Sequence, residues 1–370
     1  MRCVREIQIP PNRIHKTLKR TGKQPVAPEV STACAPNGAR AKIASLKHCR
    51  PKGIPTIVMQ RAKPLNMYSR NRMIPPPRNI HKILSKRFIF HTQMGKHFSR
   101  FCFYLFKFVI NVNILIQLMN IRQLLEEKYL KYNTKDFIES DPIYIPHQFS
   151  QKENIEIAGF LTATIAWGQR STIVKNARKL MLMMDNEPYD FIREASESEI
   201  TGISSFVHRT FSGTDLQFFI RALRHIDLRY GGLHKLFAGT YRNSGDLMTG
   251  LIEFRKAFFE IPHPVRTEKH VADISKGASA KRINMFLRWM VRRDDSGVDF
   301  GLWDDIPSSA LYIPLDVHSG KVARDLGLLS RRQSDWKAVE ELTDNLRKFD
   351  PSDPVKYDFA LFGMGIFEKE

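Results

Sequence analysis

Three observations predict an all-α fold for the body of this chain. Beyond residue 119, apolar residues recur at three- and four-residue spacing in segment after segment. Glycine and proline fall between those segments, and no stretch alternates polar and apolar residues long enough to argue for a sheet. About ten helices bury such stripes most simply in two lobes with a cleft between them.

The elements follow in order. Ile121, Leu124, Leu125 and Tyr129 share a helical face just after Met119. Residues 156–167 read as an apolar helix, and 171–184 puts Ile173, Ala177, Leu180 and Met184 on one face. Helices are expected at 215–229, through Leu216, Phe219, Ile220, Leu223 and Ile226, and at 247–259, through Leu251, Ile252, Phe254 and Phe258. Four more are expected at 281–293, 317–326, 336–349 and 354–362. Gly213, Gly231, Gly232, Gly239, Pro262 and Pro264 punctuate the series.

A net charge of +20 suggests a nucleic-acid partner until the charge is located. Residues 1–118 hold 23 Lys and Arg against Glu6 and Glu29, which leaves the remainder of the chain at −1. The headline charge therefore says nothing about the body. Cys3, Cys34, Cys49 and Cys102 also lie before residue 119. Residues 119–370 can form no disulfide, thiolate metal site or iron–sulfur cluster, and a reducing, cytoplasmic setting is the simplest expectation.

Residues 1–100 are rich in Pro, Arg, Lys and Asn, contain Pro75-Pro76-Pro77 and keep no structural period, so they read as a disordered leader. Residues 101–118 are an apolar run close to membrane-spanning length, interrupted by Lys107, Asn111 and Asn113. Three readings compete for 1–118: a basic tail with a signal anchor, a basic nucleic-acid-binding arm, or translated sequence upstream of a start at Met119. The third is favoured, which divides the chain into a leader, 1–118, and a domain, 119–370.

Tyr312–Leu328 is the most informative stretch, because it sets Asp316 between a proline-bearing loop and a helix start. Taken alone, Asp316 is an N-cap for a helix from about Val317 to Leu326, with Gly327 at the left-handed position that ends it. Upstream, Ser275-Lys-Gly-Ala-Ser-Ala-Lys281 is a glycine-bearing turn feeding a helix N-terminus. Such a turn aims backbone N–H groups outward and suits a phosphate. Lys276, Lys281, Arg282, Arg288, Arg292 and Arg293 make this the densest basic stretch of the body. A loop from Asp294 to Leu315, with Gly297, Gly301, Pro307 and Pro314, then leads to Asp316.

Hairpin, lysine, Gly/Pro-rich loop, aspartate, helix: this order resembles the helix-hairpin-helix superfamily of DNA glycosylases. Bifunctional members carry a nucleophilic lysine at the start of the hairpin's second helix and a catalytic aspartate in a Val-Asp-Thr-His motif. Lys281 in Gly277-Ala-Ser-Ala-Lys281 matches the lysine, and Leu315-Asp-Val-His318 matches the aspartate motif. Ile165-Ala-Trp-Gly-Gln-Arg-Ser171 resembles the segment whose glutamine fills the gap left by an extruded nucleotide, which assigns that place to Gln169. The 35-residue separation of Lys281 and Asp316, with no C-terminal cysteines, points toward the archaeal 8-oxoguanine glycosylase branch. The run from Lys281 to Met290 is also similar to an uncharacterised bacterial family, a domain of unknown function. One departure is Ser279, which stands where the hairpin usually has its second glycine. Its side chain either crowds a phosphate near the backbone or donates its hydroxyl to the same oxygen.

The resemblance implies a two-lobed glycosylase-like fold with a helix-hairpin-helix element, acting on double-stranded DNA that contains a damaged base. It implies base excision with AP lyase activity, with Lys281 as nucleophile and Asp316 assisting. Gln169, Gly277, Ser279, Arg282 and His318 become DNA contacts. No metal, no small-molecule cofactor and no membrane are implied, and the protein is expected to be a monomer. Oxidised guanine is the base suggested by the branch.

The chemistry fits these residue types. Base removal exposes oxocarbenium-like charge at C1′, and a neutral amine attacking that carbon forms a Schiff base. A neighbouring carboxylate takes the amine's proton or holds the cationic sugar. Each assignment has a bland alternative: Lys281 as a solvated surface lysine, Gln169 as a helix cap, and Trp167, Trp289 and Trp303 as core rather than base-stacking platforms. Asp294, Asp295, Asp299, Asp304 and Asp305 are expected to form a solvated loop rather than a cation site. Two other function classes stay open: a non-catalytic helix-hairpin-helix nucleic-acid-binding module, and a membrane-anchored scaffold resting on 101–118.

Overall fold

The structure, a computed structural model, describes residues 96–368. Of the stretch 1–100 expected to be disordered, residues 1–95, with Cys3, Cys34 and Cys49, lie outside the described residues, whereas 96–100 are helical. Helices account for nearly all regular structure: α1 (Lys96–Tyr132), α2 (Lys135–Ser140), α3 (Lys152–Thr164), α4 (Arg170–Leu182), α5 (Pro188–Glu194), α6 (Glu197–Gly202) and α7 (Gly213–Tyr230). They continue with α8 (Leu233–Ser244), α9 (Leu247–Phe258), α10 (Lys281–Val291), α11 (Val317–Asp325), α12 (Trp336–Arg347) and α13 (Tyr357–Phe367). The described strands are β1 (Val207–His208) and β2 (Phe211–Ser212), a two-residue antiparallel pair with Val207 opposite Ser212. The all-α expectation holds.

Short-range chemistry sets the helix boundaries. Asp246 opens α9 by accepting from the Met248 and Thr249 N–H groups, and Asp335 opens α12 by accepting from that of Ala338. Gly231 ends α7 with φ +76°, the left-handed conformation that favours glycine there. The expectation for Gly239 is corrected: it lies inside α8, a helix the sequence pattern did not reveal, whose Leu233, Leu236, Phe237 and Ala238 are buried. The last helix is longer than expected: a 3-10 turn at Pro354–Lys356 leads into α13, which runs on to Phe367.

Two packing groups result. In one, α7, α8 and α9 pack together beside α3 and α5. Its core is aromatic, with the Phe160 ring 5.6 Å from that of Phe254 and the Phe219 ring 4.8 Å from that of Phe258. In the other, α13 packs against α1 and α11. Helix α10 joins the groups: the Phe286 ring lies 5.6 Å from Phe160, and the Arg288 guanidinium sits 4.3 Å over the Phe359 ring. Residues 284–291 are all buried, as a helix enclosed on every side requires.

The basic stretch of α10 does not all face outward. Arg288 and Arg292 are buried, and Arg288 bonds Asp299 and Asp358. Arg292 meets Asp294, Asp299 and Asp353. This corrects the solvated-loop expectation for Asp294 and Asp299, which are counter-ions of the core, while Asp305 pairs with His234 at 2.6 Å.

Helix α1 passes without a break through position 118. Its last turns pack on α13, with the Tyr132 ring stacked 5.6 Å from Phe367 and the Tyr132 hydroxyl donating to Glu368 Oε1 at 2.6 Å. Earlier apolar residues such as Phe108, Leu115 and Met119 are exposed. By length and composition alone, Lys107–Tyr132 is apolar enough to cross a membrane. A Cβ at Gly363 would stand 2.1 Å from the Tyr132 ring. Gly363→Ala is therefore expected to cost about 1–3 kcal/mol through forced repacking of α1 on α13. Urea unfolding checks this, and an unchanged midpoint would refute the close approach.

Candidate functional site

The turn before α10 is built from two left-handed residues. Gly277 has φ +84° and Ala280 has φ +52°, an uncommon conformation for a residue with a Cβ. The turn is pinned across the molecule, because the Trp336 N–H donates to the Gly277 carbonyl at 2.9 Å. Ala280, buried at the N-cap of α10, offers no side-chain cap, so the first-turn amides of α10 are not closed off by one. The arm leading into the turn is made of 3-10 turns, Val265–His270 and Ile274–Lys276, rather than an α-helix.

Thirty-five residues later the chain returns to the same place. The intervening loop is held down by backbone and side-chain anchors: the Phe300 N–H donates to the Trp289 carbonyl at 2.8 Å, and the Trp303 N–H to that of Met290 at 2.9 Å. Trp303 also donates its ring N–H to Glu156 Oε1 at 2.9 Å. Asp316 then opens α11. Its Oδ1 accepts from the His318 and Ser319 N–H groups, both at 2.8 Å, and from the Ser319 hydroxyl at 3.1 Å. Its Oδ2 faces Lys281 Nζ at 3.6 Å. One oxygen caps the helix and the other meets the amine. Gly327 ends this element with φ +73°, as the sequence implied.

Lys281 and Asp316 line a cavity of about 560 Å³ between the two packing groups. Trp167, Arg170, Ser279, Arg282 and His318 line it too, with an apolar wall from Phe137, Phe160 and Phe286. A pocket of this size, mostly apolar with a few convergent polar groups, suits a flat organic ring. Two further carboxyls reach it, Asp141 and Asp358, both buried. Burial pushes Asp141 above the ordinary carboxylate range, against the pull of Arg170, whose Nη2 lies 3.9 Å away. Burial likewise pushes Asp358 up to about 7, with Arg288 and Lys281 pulling down and Asp316 pushing up.

The expected site residues are placed as follows. Gln169 is exposed at the N-cap of α4 and makes no cap hydrogen bond, between the cavity-lining Gly168 and Arg170. Gly277 shapes the turn, and Ser279 and His318 line the cavity. Arg282 is engaged internally: its guanidinium bonds the Thr164 carbonyl and, at 3.0 Å, that of His270, while lying 4.8 Å over the Trp167 ring. Burial lowers its pKa to about 10. It is thus a clamp at the end of α3 as well as a wall of the cavity. Trp289 and Trp303 are fully buried core, whereas Trp167 is half-buried and lines the cavity.

Sequence reasoning missed Asp141, Asp358 and His270. His270 stacks against Trp167 with ring centroids 6.0 Å apart, and burial lowers its pKa to about 4 against the pull of Asp215. Asp358 carried a readable signal: it is the single charge in the otherwise apolar run Tyr357–Phe367. Among the described residues, no group of His, Cys, Asp and Glu is arranged to hold a metal ion.

A family model described as "Protein of unknown function (DUF2400)" matches residues 141–367, a span that includes every cavity residue named above except Phe137. No curated protein and no solved structure matches the chain.

Proposed function

This chain belongs to the DUF2400 family, whose description assigns no activity, and from its cavity we propose that it is a helix-hairpin-helix DNA glycosylase with AP lyase activity. The observation that carries the reading is the lysine amine 3.6 Å from an aspartate oxygen at the wall of a ring-sized cavity. The substrate is double-stranded DNA with a damaged base, and by resemblance to one branch of that superfamily the base is an oxidised guanine. The protein acts as a cytoplasmic monomer without a cofactor.

Extruding the target nucleotide costs roughly a few kcal/mol, least for a damaged pair. Once the nucleotide is seated, Lys281 Nζ forms a bond to C1′ as the bond from C1′ to the base breaks. Asp316 Oδ2 stands where the developing sugar cation is held. The resulting Schiff base opens the route to strand cleavage beside the lost base. The Trp167 ring lines the cavity with Arg282 and His270 packed on it, and Gln169 is exposed between the cavity-lining Gly168 and Arg170.

Borohydride trapping on duplexes that carry 8-oxoguanine, other lesions or an abasic site tests the reading. The expected result is a covalent protein–DNA adduct with wild type and none with Lys281→Gln. Duplex binding without an adduct across the whole panel would instead identify a non-catalytic nucleic-acid-binding module. Fractionation with and without residues 101–118 tests the membrane-anchored scaffold.

A further inference from the structure

We propose that Asp358 is a third member of the reactive group, the carboxyl that takes the proton Lys281 must lose and passes it to the departing base. This rests on the glycosylase reading above. Lys281 and Arg288 are seven residues apart on α10, so they lie on one face of that helix. Arg288 donates to Asp358 Oδ2, and no other side-chain hydrogen bond to Asp358 is present among the described residues. Asp358 itself lines the cavity that Lys281 and Asp316 also line. The two aspartates differ in freedom. Asp316 has one oxygen fixed by three donors of its own helix and the other against the amine, whereas among the described residues the Asp358 side chain has a hydrogen bond on Oδ2 alone.

The charged groups around Asp358 come from every side. Arg288 and Lys281 act on it from α10, Asp299 from the loop and Asp316 from α11, and His318, Asp141 and Arg170 line the same cavity. On α1, Tyr129 bonds Arg292 and Asp294, so it belongs to the neighbouring buried network. With burial holding its carboxyl near neutrality, Asp358 is stable in either protonation state at the working pH, which is what a proton carrier requires.

The step balances. One proton passes from Lys281 Nζ to Asp358 as the bond from Nζ to C1′ forms. The bond from C1′ to the base breaks, the base leaves with that proton, and Asp358 returns to its starting state. At an abasic site the same carboxyl carries protons from Nζ to the C1′ oxygen, which leaves as water. Nothing is oxidised or reduced.

The test is the rate of cyanoborohydride trapping on an abasic-site duplex between pH 5.5 and 8.5, with wild type, Lys281→Gln, Asp358→Asn and Asp358→Glu. Asparagine keeps an acceptor for Arg288 and cannot carry the proton. Wild type is expected to speed up with pH through a midpoint near 7. Asp358→Asn is expected to be slower by roughly a hundredfold at pH 8 and to lose that midpoint, while Asp358→Glu keeps one at a shifted position. A wild-type adduct that depends on Lys281 but shows no midpoint between pH 6 and 8 overturns the proton-carrier role and leaves the glycosylase reading standing. So does an unmoved midpoint in Asp358→Asn. No wild-type adduct on the abasic duplex defeats both. If Asp358→Asn fails to fold, the wild-type and Asp358→Glu profiles decide by the same criterion.

Discussion

If the proposed base removal runs through this pair, Asp316→Asn is expected to lower its rate by a factor of roughly a hundred to ten thousand while leaving the protein nearly as stable as wild type. The two oxygens of Asp316 do different work, and this substitution separates them. The asparagine carbonyl still accepts from the His318 and Ser319 N–H groups, so the start of α11 remains capped. What disappears is the negative charge opposite Lys281 Nζ, the element that stabilises the cationic sugar in the proposed reaction. Asp316→Ala removes both functions and should be equally slow but also less stable by about 1 kcal/mol, the usual worth of a cap. Single-turnover cleavage of a damaged duplex that wild type cuts, together with urea midpoints, measures the pair. An Asp316→Asn protein at wild-type rate would return the residue to a pure cap.

Arg292→Met destabilises the protein by about 3–5 kcal/mol, the cost of leaving buried charges without their partner. Arg292 is fully buried, with Nη1 on Asp294 and Asp299 at 2.6 and 3.1 Å, Nε on Asp353 at 2.8 Å and Nη2 on the Tyr129 hydroxyl at 2.8 Å. Methionine fills similar space but answers none of the three carboxylates, which then repel one another. The loss depends on pH in a stated direction. Burial already pushes Asp353 above the ordinary carboxylate range, and removing Arg292, which pulls it down, raises it further. A carboxyl raised in the folded state takes up protons that the unfolded chain releases, so its contribution is best below the unfolded pKa and is lost as pH rises. The variant should therefore be closer to wild type at pH 5.5 than at pH 8. Urea unfolding at both values checks this, and a loss below about 1 kcal/mol at pH 8 would show that the network is not a keystone of the core.

Residue patterns could show that α10 begins at Lys281 and that α11 begins at Asp316, because caps, turns and apolar stripes are local. They could also set the lysine and the aspartate in the right order. They could not show which cations face outward. Arg288 and Arg292 look like phosphate ligands beside Lys281, yet their partners Asp299, Asp353 and Asp358 lie 7 to 70 positions away and are brought together by packing. Arg282 shows the same limit, since its acceptors, the carbonyls of Thr164 and His270, are brought to it by packing. The helix through Gly239 escaped notice because an interior glycine weakens a helix without forbidding it. Asp358 was overlooked for the opposite reason: the helix around it is so apolar that it reads as core, and the one charge within it was the clue.

The loop between Lys281 and Asp316 bears on how that pair is assembled. Closing roughly 35 residues costs about 3 kcal/mol of chain entropy before any contact repays it. The repayment comes from Val298, Trp303, Ile306, Leu311, Ile313 and Leu315, all buried in the finished core. The 3.6 Å approach of amine and carboxylate therefore depends on the packing of these core residues. A chain in which this loop is unpacked holds Lys281 and Asp316 but not the pair.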